Sequence, residues 1–184
     1  MKIAIIGGGA AGFFSAFSAK ENYPDAQVAI FEKSRNFLSK VKISGGGRCN
    51  VTNGCTDIKT LSKAYPRGGN VLKKAFHIFS TQDTIDWFEL RGVPLMTQED
   101  NCVFPISQDS QSIIDCFLKQ SKMLNIKIHL GRGVKAIHPI KGQLKLEFNK
   151  DEFPDEIFHK VIVATGGSPK RSGLEWLETL GHKI

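Results

Sequence analysis

Residues 2–32 leave few folds open to this chain. An apolar run, Ile3-Ala4-Ile5-Ile6, leads into Gly7-Gly8-Gly9-Ala10-Ala11-Gly12, then a helical segment with small residues at Gly12, Ala16 and Ala19, then Val28-Ala29-Ile30-Phe31 and Glu32. The order is strand, glycine turn, helix, strand, acid. In such a unit Gly7 permits the tight turn out of the strand, Gly9 lets backbone N–H groups approach a diphosphate, and Gly12 lets the helix pack closely on the sheet. Ala10 and Ala11 open the helix, whose unpaired N–H groups and positive dipole end stabilise an anion. Glu32, twenty residues beyond Gly12, is placed to accept hydrogen bonds from a ribose diol. Lys33 and Arg35 are the cations that a 2′-phosphate would use instead, but an acid already holds the ribose position. A glycine turn alone signals only a turn. Here strand, helix face and acid are independent requirements met together, so the unit reads as a dinucleotide site.

At 184 residues the chain has room for one domain with a core and is short for a two-domain dinucleotide enzyme. It has no apolar run of about 18 residues that could span a membrane. Lys2 passes at once into the strand that the turn requires, so a soluble cytoplasmic protein without a secretory leader is expected. Cys49, Cys55, Cys102 and Cys116 form no CxxC pair and no metal-ligand spacing with histidine, which favours free thiols and no metal. The net charge is +7. The densest cation pairs, Lys40 with Lys42, Lys73 with Lys74 and Lys170 with Arg171, make no polybasic tract and are not interleaved with an aromatic platform. A solvated basic surface is therefore expected, and a nucleic-acid partner is not.

A second unusual stretch covers residues 43–53. Gly45, Gly46 and Gly47 disfavour helix and strand but let a backbone lie against a flat or charged ligand. Ser44, Arg48, Asn50, Thr52 and Asn53 surround them with polar groups, so ligand contact is expected. Arg48 is a neighbour that would lower the Cys49 thiol pKa. With no resolving cysteine at CxxC spacing, Cys49 reads as structural or cofactor-lining.

Residues 58–91 are helical in pattern, with Val71, Leu72, Ala75, Phe76 and Phe79, then Ile85, Trp87 and Phe88, at core spacing. Gly92-Val93-Pro94 stops the helix, and residues 95–105 read as extended with a turn at Asp100-Asn101. Ser110 or Ser112 caps the next helix, which carries Ile113, Ile114, Phe117 and Leu118. Residues 126–130 form a strand. Gly131-Arg132-Gly133 imitates a nucleotide turn, but the extended, proline-stopped segment after it offers no helix N-terminus. Residues 143–148 alternate as a half-buried antiparallel strand. Residues 158–164 read as a buried strand ending in Thr165-Gly166-Gly167, where open α/β sheets place a ligand crevice.

With these segments in place the chain resembles the aminoacetone-oxidase-like (BaiN-like) family of FAD-dependent oxidoreductases. The resemblance rests on the turn at residues 7–12, the distinctive segment 44–53, Val103-Phe104-Pro105 with Ser107, and Ala164-Thr165-Gly166-Gly167 through Leu180-Gly181-His182. It covers the whole chain but the N-terminal half of a family member, whose substrate domain and C-terminal return segment would follow Ile184. The resemblance implies an α/β fold, a Rossmann-type FAD-binding domain over residues 1–184 with a central parallel sheet and a small antiparallel β element. FAD would be the two-electron carrier, with NAD(P)H a candidate reductant and a small molecule as substrate. Gly7, Gly9, Ala10, Ala11 and Gly12 would hold the diphosphate, and Glu32, with Lys33 beside it, the ribose. Ser44, Gly45, Gly46, Gly47, Arg48, Cys49 and Asn50 would run along the diphosphate toward the isoalloxazine. The Val134 backbone would meet the adenine, and Thr165 and Gly166 would close over the cofactor. Asn101-Cys102 stands where the family often has Gly-Arg, which removes a cation, and no catalytic acid or base is assigned. Two alternatives stay open: a truncated or split nucleotide-binding module without independent activity, and an RNA-acting flavoprotein. Without a return segment, the expectation is weak flavin retention, little turnover with NADH or NADPH, and association with itself or with a missing C-terminal half.

Overall fold

In the computed structural model, which describes residues 1–168 and 173–184, the first apolar run forms strand β1 (Lys2–Ile6). Its Ile3, Ala4, Ile5 and Ile6 are all buried, as a continuous apolar strand covered on both faces requires. β1 pairs in parallel with β2 (Gln27–Phe31) and with β10 (Lys160–Val163), and β2 pairs in parallel with β6 (Lys127–His129). The order is β10-β1-β2-β6. Helix α1 (Ala10–Asn22) packs on β1 and β2 with Phe13, Ala16 and Phe17 buried. A second, antiparallel sheet joins β7 (Val134–Ile140), β8 (Gln143–Phe148) and β9 (Glu156–Phe158). Ala4, Ile6 and Phe31 of the parallel sheet share one core with Ile137, Leu146, Phe148 and Phe158. Met1–Ser39 and Lys119–Ile184 together form this compact unit. Its central parallel sheet with a small antiparallel element is the α/β class that the sequence implies.

The chain moves from β1 through β2 to β6 on one side and returns to place β10 on the other side of β1. The carboxyl ends of β1 and β10 therefore flank the point where strand order reverses. One expectation fails here. The strand expected to be buried over residues 158–164 has Ile162 and Val163 each 37% exposed, because among the described residues β10 is the sheet's edge and has one neighbour.

Lys40–Leu118 form the second compact unit. Strands β3 (Thr52–Asn53), β4 (Leu95–Thr97) and β5 (Cys102–Pro105) make an antiparallel sheet in the order β3-β5-β4. The short helix α2 (Ser39–Ile43) leads into a 3₁₀ turn over Ser44–Gly47. The helical stretch resolves into α3 (Ile58–Lys63), α4 (Gly69–Phe76) and α5 (Thr81–Glu89). Asp57 caps α3, and Ser80 with Asp83 forms a capping box on α5. Trp87 and Phe88 are buried against Phe117 of α6 (Gln111–Met123), with Phe88 and Phe117 stacked at 5.6 Å.

Two expectations are corrected in this unit. The α4 stripe is not core: no residue of α4 is buried, Val71 is 73% exposed, and Phe79 beyond the helix is exposed too. Leu72 and Phe76 are only half-buried, with α4 against α3 and Phe76 beside Tyr65, while Val71 meets solvent. The first turn of α6 takes its acceptor from Asp109, whose Oδ1 receives the Gln111 N–H at 2.8 Å. Ser110 instead donates its hydroxyl to the Lys42 carbonyl at 2.9 Å. Lys170 and Arg171 lie outside the described residues. Among the described residues, no helix is long and apolar enough to cross a membrane.

Candidate functional site

Gly7 leaves β1 at φ 113°, and a Cβ there would stand 2.5 Å from the Ala164 carbonyl oxygen. Positive φ and contact both demand glycine. The Gly7 N–H donates to the Phe31 carbonyl at 2.8 Å, and the Ala164 N–H to the Ile6 carbonyl at 2.8 Å, so three strand ends meet at this turn. Thr165 follows Ala164 beside Gly7, and Gly166 takes φ 75°. A Cβ on Gly12 would lie 1.9 Å from the Gly7 carbonyl oxygen. The third glycine thus lets α1 start against the turn itself.

Gly9 precedes α1 and offers no side-chain cap, and a Cβ added to it would meet no atom within 4 Å. The first N–H groups of a helix have no partner within it, and among the described residues the space beside Gly9 is open. Ala10 and Ala11 continue that surface and are exposed. This helix start, with small residues and no side-chain cap among the described residues, fits a diphosphate.

Gly8 has a role that the spacing rule passes over. Its N–H donates to Glu32 Oε2 at 2.7 Å, and a Cβ there would come within 2.9 Å of the Glu32 Cβ. Ser34 N–H donates to Oε1 at 2.8 Å. Each carboxylate oxygen keeps lone-pair capacity for a hydroxyl donor, so Glu32 is both anchored and able to bind a diol. Leu38, buried at φ 54°, donates its N–H to the Gly8 carbonyl at 2.8 Å. Nothing at the sequence level marks Leu38 or Ser34, whereas Gly8 is visible as the middle of three consecutive glycines. Lys33 is exposed, with its Cβ beside Gly133. Val134 opens β7, half-buried, opposite Phe148.

Near Val134 sits a buried cation. Arg132 Nη2 pairs with Glu156 Oε1 at 2.7 Å, and the guanidinium lies over Phe148, 4.1 Å from the ring centroid, and Phe153, at 4.9 Å. β7 follows at once, so residues 131–133 present no helix start and are not a nucleotide turn, as expected.

In the second unit Gly45, Gly46 and Gly47 have φ of 56°, 69° and 88°. Gly45 is forced by packing, since its Cβ would meet Phe104 at 2.7 Å, while Gly46 and Gly47 face open space. Arg48 stacks over Phe104 at 4.0 Å and donates through Nη1 to Gln108 Oε1 at 3.2 Å. Asn50 Nδ2 reaches Cys102 Sγ at 3.3 Å. Cys49 is buried at φ 65°; burial pushes its thiol pKa up, and a hydrogen bond with Ser44 offsets part of this. A thiol raised in this way suits the structural reading over the redox one.

Over residues 1–184 the chain matches the model of the HI0933-like protein Rossmann domain. The chain belongs to this family. The motifs therefore pointed to the right family. It is 28% identical over 190 aligned residues to a 3-dehydro-bile acid delta(4,6)-reductase of Clostridium scindens, covering all of this chain and 44% of the relative. It is 27% identical to a ribosomal RNA dihydrouridine synthase of Escherichia coli, covering 89% of this chain and 38% of that protein. The HI0933-like chain thus spans less than half the length of these curated relatives. Among solved structures, the quinol fumarate reductase FrdA of E. coli superimposes with a TM-score of 0.66 at 16% identity, covering 91% of this chain and 33% of that one. THI4 of Thermovibrio ammonificans gives 0.59 at 16% identity, covering 99% and 63%. At these identities the structures speak for the fold alone.

Proposed function

We propose that the chain is the cofactor-binding part of an FAD-dependent oxidoreductase. The observation that carries this reading is the Gly8–Glu32 hydrogen bond beside an open helix start at the topological switch point. It supports the reading because an anchored carboxylate lies close to an uncapped helix start in a member of the HI0933-like family. Gly7, Gly9, Ala10, Ala11 and Gly12 shape the diphosphate site, Glu32 takes the ribose, and the Val134 backbone takes the adenine, with Thr165 and Gly166 beside the turn. Ser44 through Asn50 carry the contacts toward the ring system, a role that the open backbone at Gly46 and Gly47 supports. FAD, when bound, supplies the two-electron chemistry, and the protein supplies position and electrostatics. NAD(P)H is the proposed reductant. Exposed Ile162 and Val163 on β10 support the proposed association, which sedimentation velocity would reveal.

Equilibrium dialysis with FAD tests the reading. The parent should bind FAD, if weakly, and Gly9→Val should not, because the added side chain fills the diphosphate's space. Equal retention would overturn the assignment. Anaerobic addition of NADH to the FAD-loaded protein, followed at the visible flavin band, tests the reductant. A second reading, an RNA-acting flavoprotein, is supported by the ribosomal RNA substrate in the E. coli relative's name and by the distribution of charge in the second unit.

A further inference from the structure

Between Asp57 and Asp83 the sequence holds no Asp or Glu, yet it carries Lys59, Lys63, Arg67, Lys73 and Lys74. All five are exposed. Among the described residues, none of them forms an ion pair with a carboxylate. This stretch supplies +5 against a net charge of +7 for the whole chain. Its basic character comes as much from missing acids as from cations, and only Lys73 and Lys74 are adjacent. The same stretch holds exposed rings: Tyr65 is 43% exposed and Phe79 38%.

Tyr65, Phe76 and Phe79 line a cleft of about 440 Å³ together with Asn50, Asn53 and Thr52, and among the described residues no charged side chain contributes to its lining. Tyr65 and Phe76 lie 5.7 Å apart at 50°. Asn53 accepts the Cys55 N–H through Oδ1 at 2.8 Å, and among the described residues its Nδ2 donates to no protein group. A cation-rich surface attracts a polyanion, and an uncharged cleft of rings and amides accepts a flat neutral heterocycle with polar edges. One ligand class combines both requirements.

We propose that the segment 59–79, with the cleft that its rings line, docks single-stranded nucleic acid. The phosphates would lie against the five cations, and one unstacked base would sit among Tyr65, Phe76 and Phe79 with its edge toward Asn50 and Asn53. This departs from the expectation drawn from cation runs alone. An anionic membrane surface would use the cations with exposed Val71 and Ile78 but has no use for an amide-lined cleft. The proposal rests on the second reading and deepens it by naming its surface, and of the residues assigned to the flavin it uses Asn50.

The test is fluorescence anisotropy of the full chain with a labelled oligouridylate of about twelve nucleotides, across a salt series and without added flavin. Affinity should fall as salt rises, and Lys73→Ala with Lys74→Ala should flatten the logarithmic salt slope by about 1.4. Tyr65→Ala should weaken binding about tenfold with the slope unchanged, and Tyr65→Phe should restore it. Thermal melting of each variant separates misfolding from lost contacts. An oligodeoxythymidylate arm distinguishes the sources, and binding to either polymer supports the proposal. Absence of salt-sensitive binding, indifference to Tyr65→Ala, or capture by phosphatidylserine vesicles and not by the oligonucleotides would overturn it. FAD dialysis on the same samples keeps failure of the flavin reading separate.

Discussion

The backbone N–H of Gly8 donates to the Glu32 carboxylate at 2.7 Å, tying the turn after β1 to the acid after β2. The link fixes the carboxylate before any ligand arrives, and Ser34 holds its second oxygen. A pre-positioned acceptor loses less side-chain entropy on binding than a free one.

Glu32→Ala should weaken ADP binding by about 1–3 kcal/mol, the scale of hydrogen bonds to a charged group. Calorimetric titration of ADP against parent and variant measures this. Unchanged affinity would leave Glu32 as an anchor for Gly8 and nothing more.

Gly12→Ala and Gly9→Ala should part company in stability. A Cβ at residue 12 would lie 1.9 Å from the Gly7 carbonyl oxygen, and overpacking of this kind costs about 1–3 kcal/mol or more. At residue 9 the backbone has φ −90° and the space is open, so the alanine variant should melt with the parent. A Gly12→Ala protein with the parent's melting temperature would contradict the packing described.

Arg132→Ala should destabilise the first unit by about 2–5 kcal/mol, the range for large-to-small changes at buried sites. It removes a guanidinium packed on Phe148 and Phe153 and paired with Glu156. Arg132→Met should lose less because its apolar stem still fills the space. Urea midpoints rank the three proteins, and equal midpoints would show that the cation contributes nothing to the core.

His129 stacks on Phe31 at 5.0 Å. Burial, then the charge of Arg132, holds its pKa below the ordinary histidine value. The unfolded chain therefore binds the proton more readily. The stability from this site is full above the unfolded value of about 6.5 and is lost as pH falls from there through the folded pKa. His129→Phe should keep the stacked ring and flatten the dependence of urea stability on pH below neutrality. A variant whose stability falls as steeply as the parent's would place the effect elsewhere.

The parallel unit was legible in the sequence because its constraints are local: apolar runs set β1 and β2, and glycines at fixed spacing set a turn that no other residue could make. Strand β8 was equally plain from its alternation. The burial of an element, however, depends on what lies across from it. The same apolar periodicity describes Phe88, which finds Phe117, and Val71, which finds solvent; Ile162 and Val163 read as interior until β10 takes the edge of the sheet. The Ser110 hydroxyl was free in the sequence to cap its own helix, and Lys42, far away in the chain, takes it instead. Arg48 beside Cys49 suggested a lowered thiol pKa, but packing buries the sulfur and turns the guanidinium onto Phe104. Sequence spacing determined which backbone shapes were possible at residues 7–12 and 45–47. Tertiary structure decided which side chains met water, because burial and hydrogen-bond pairing belong to contacts between distant segments.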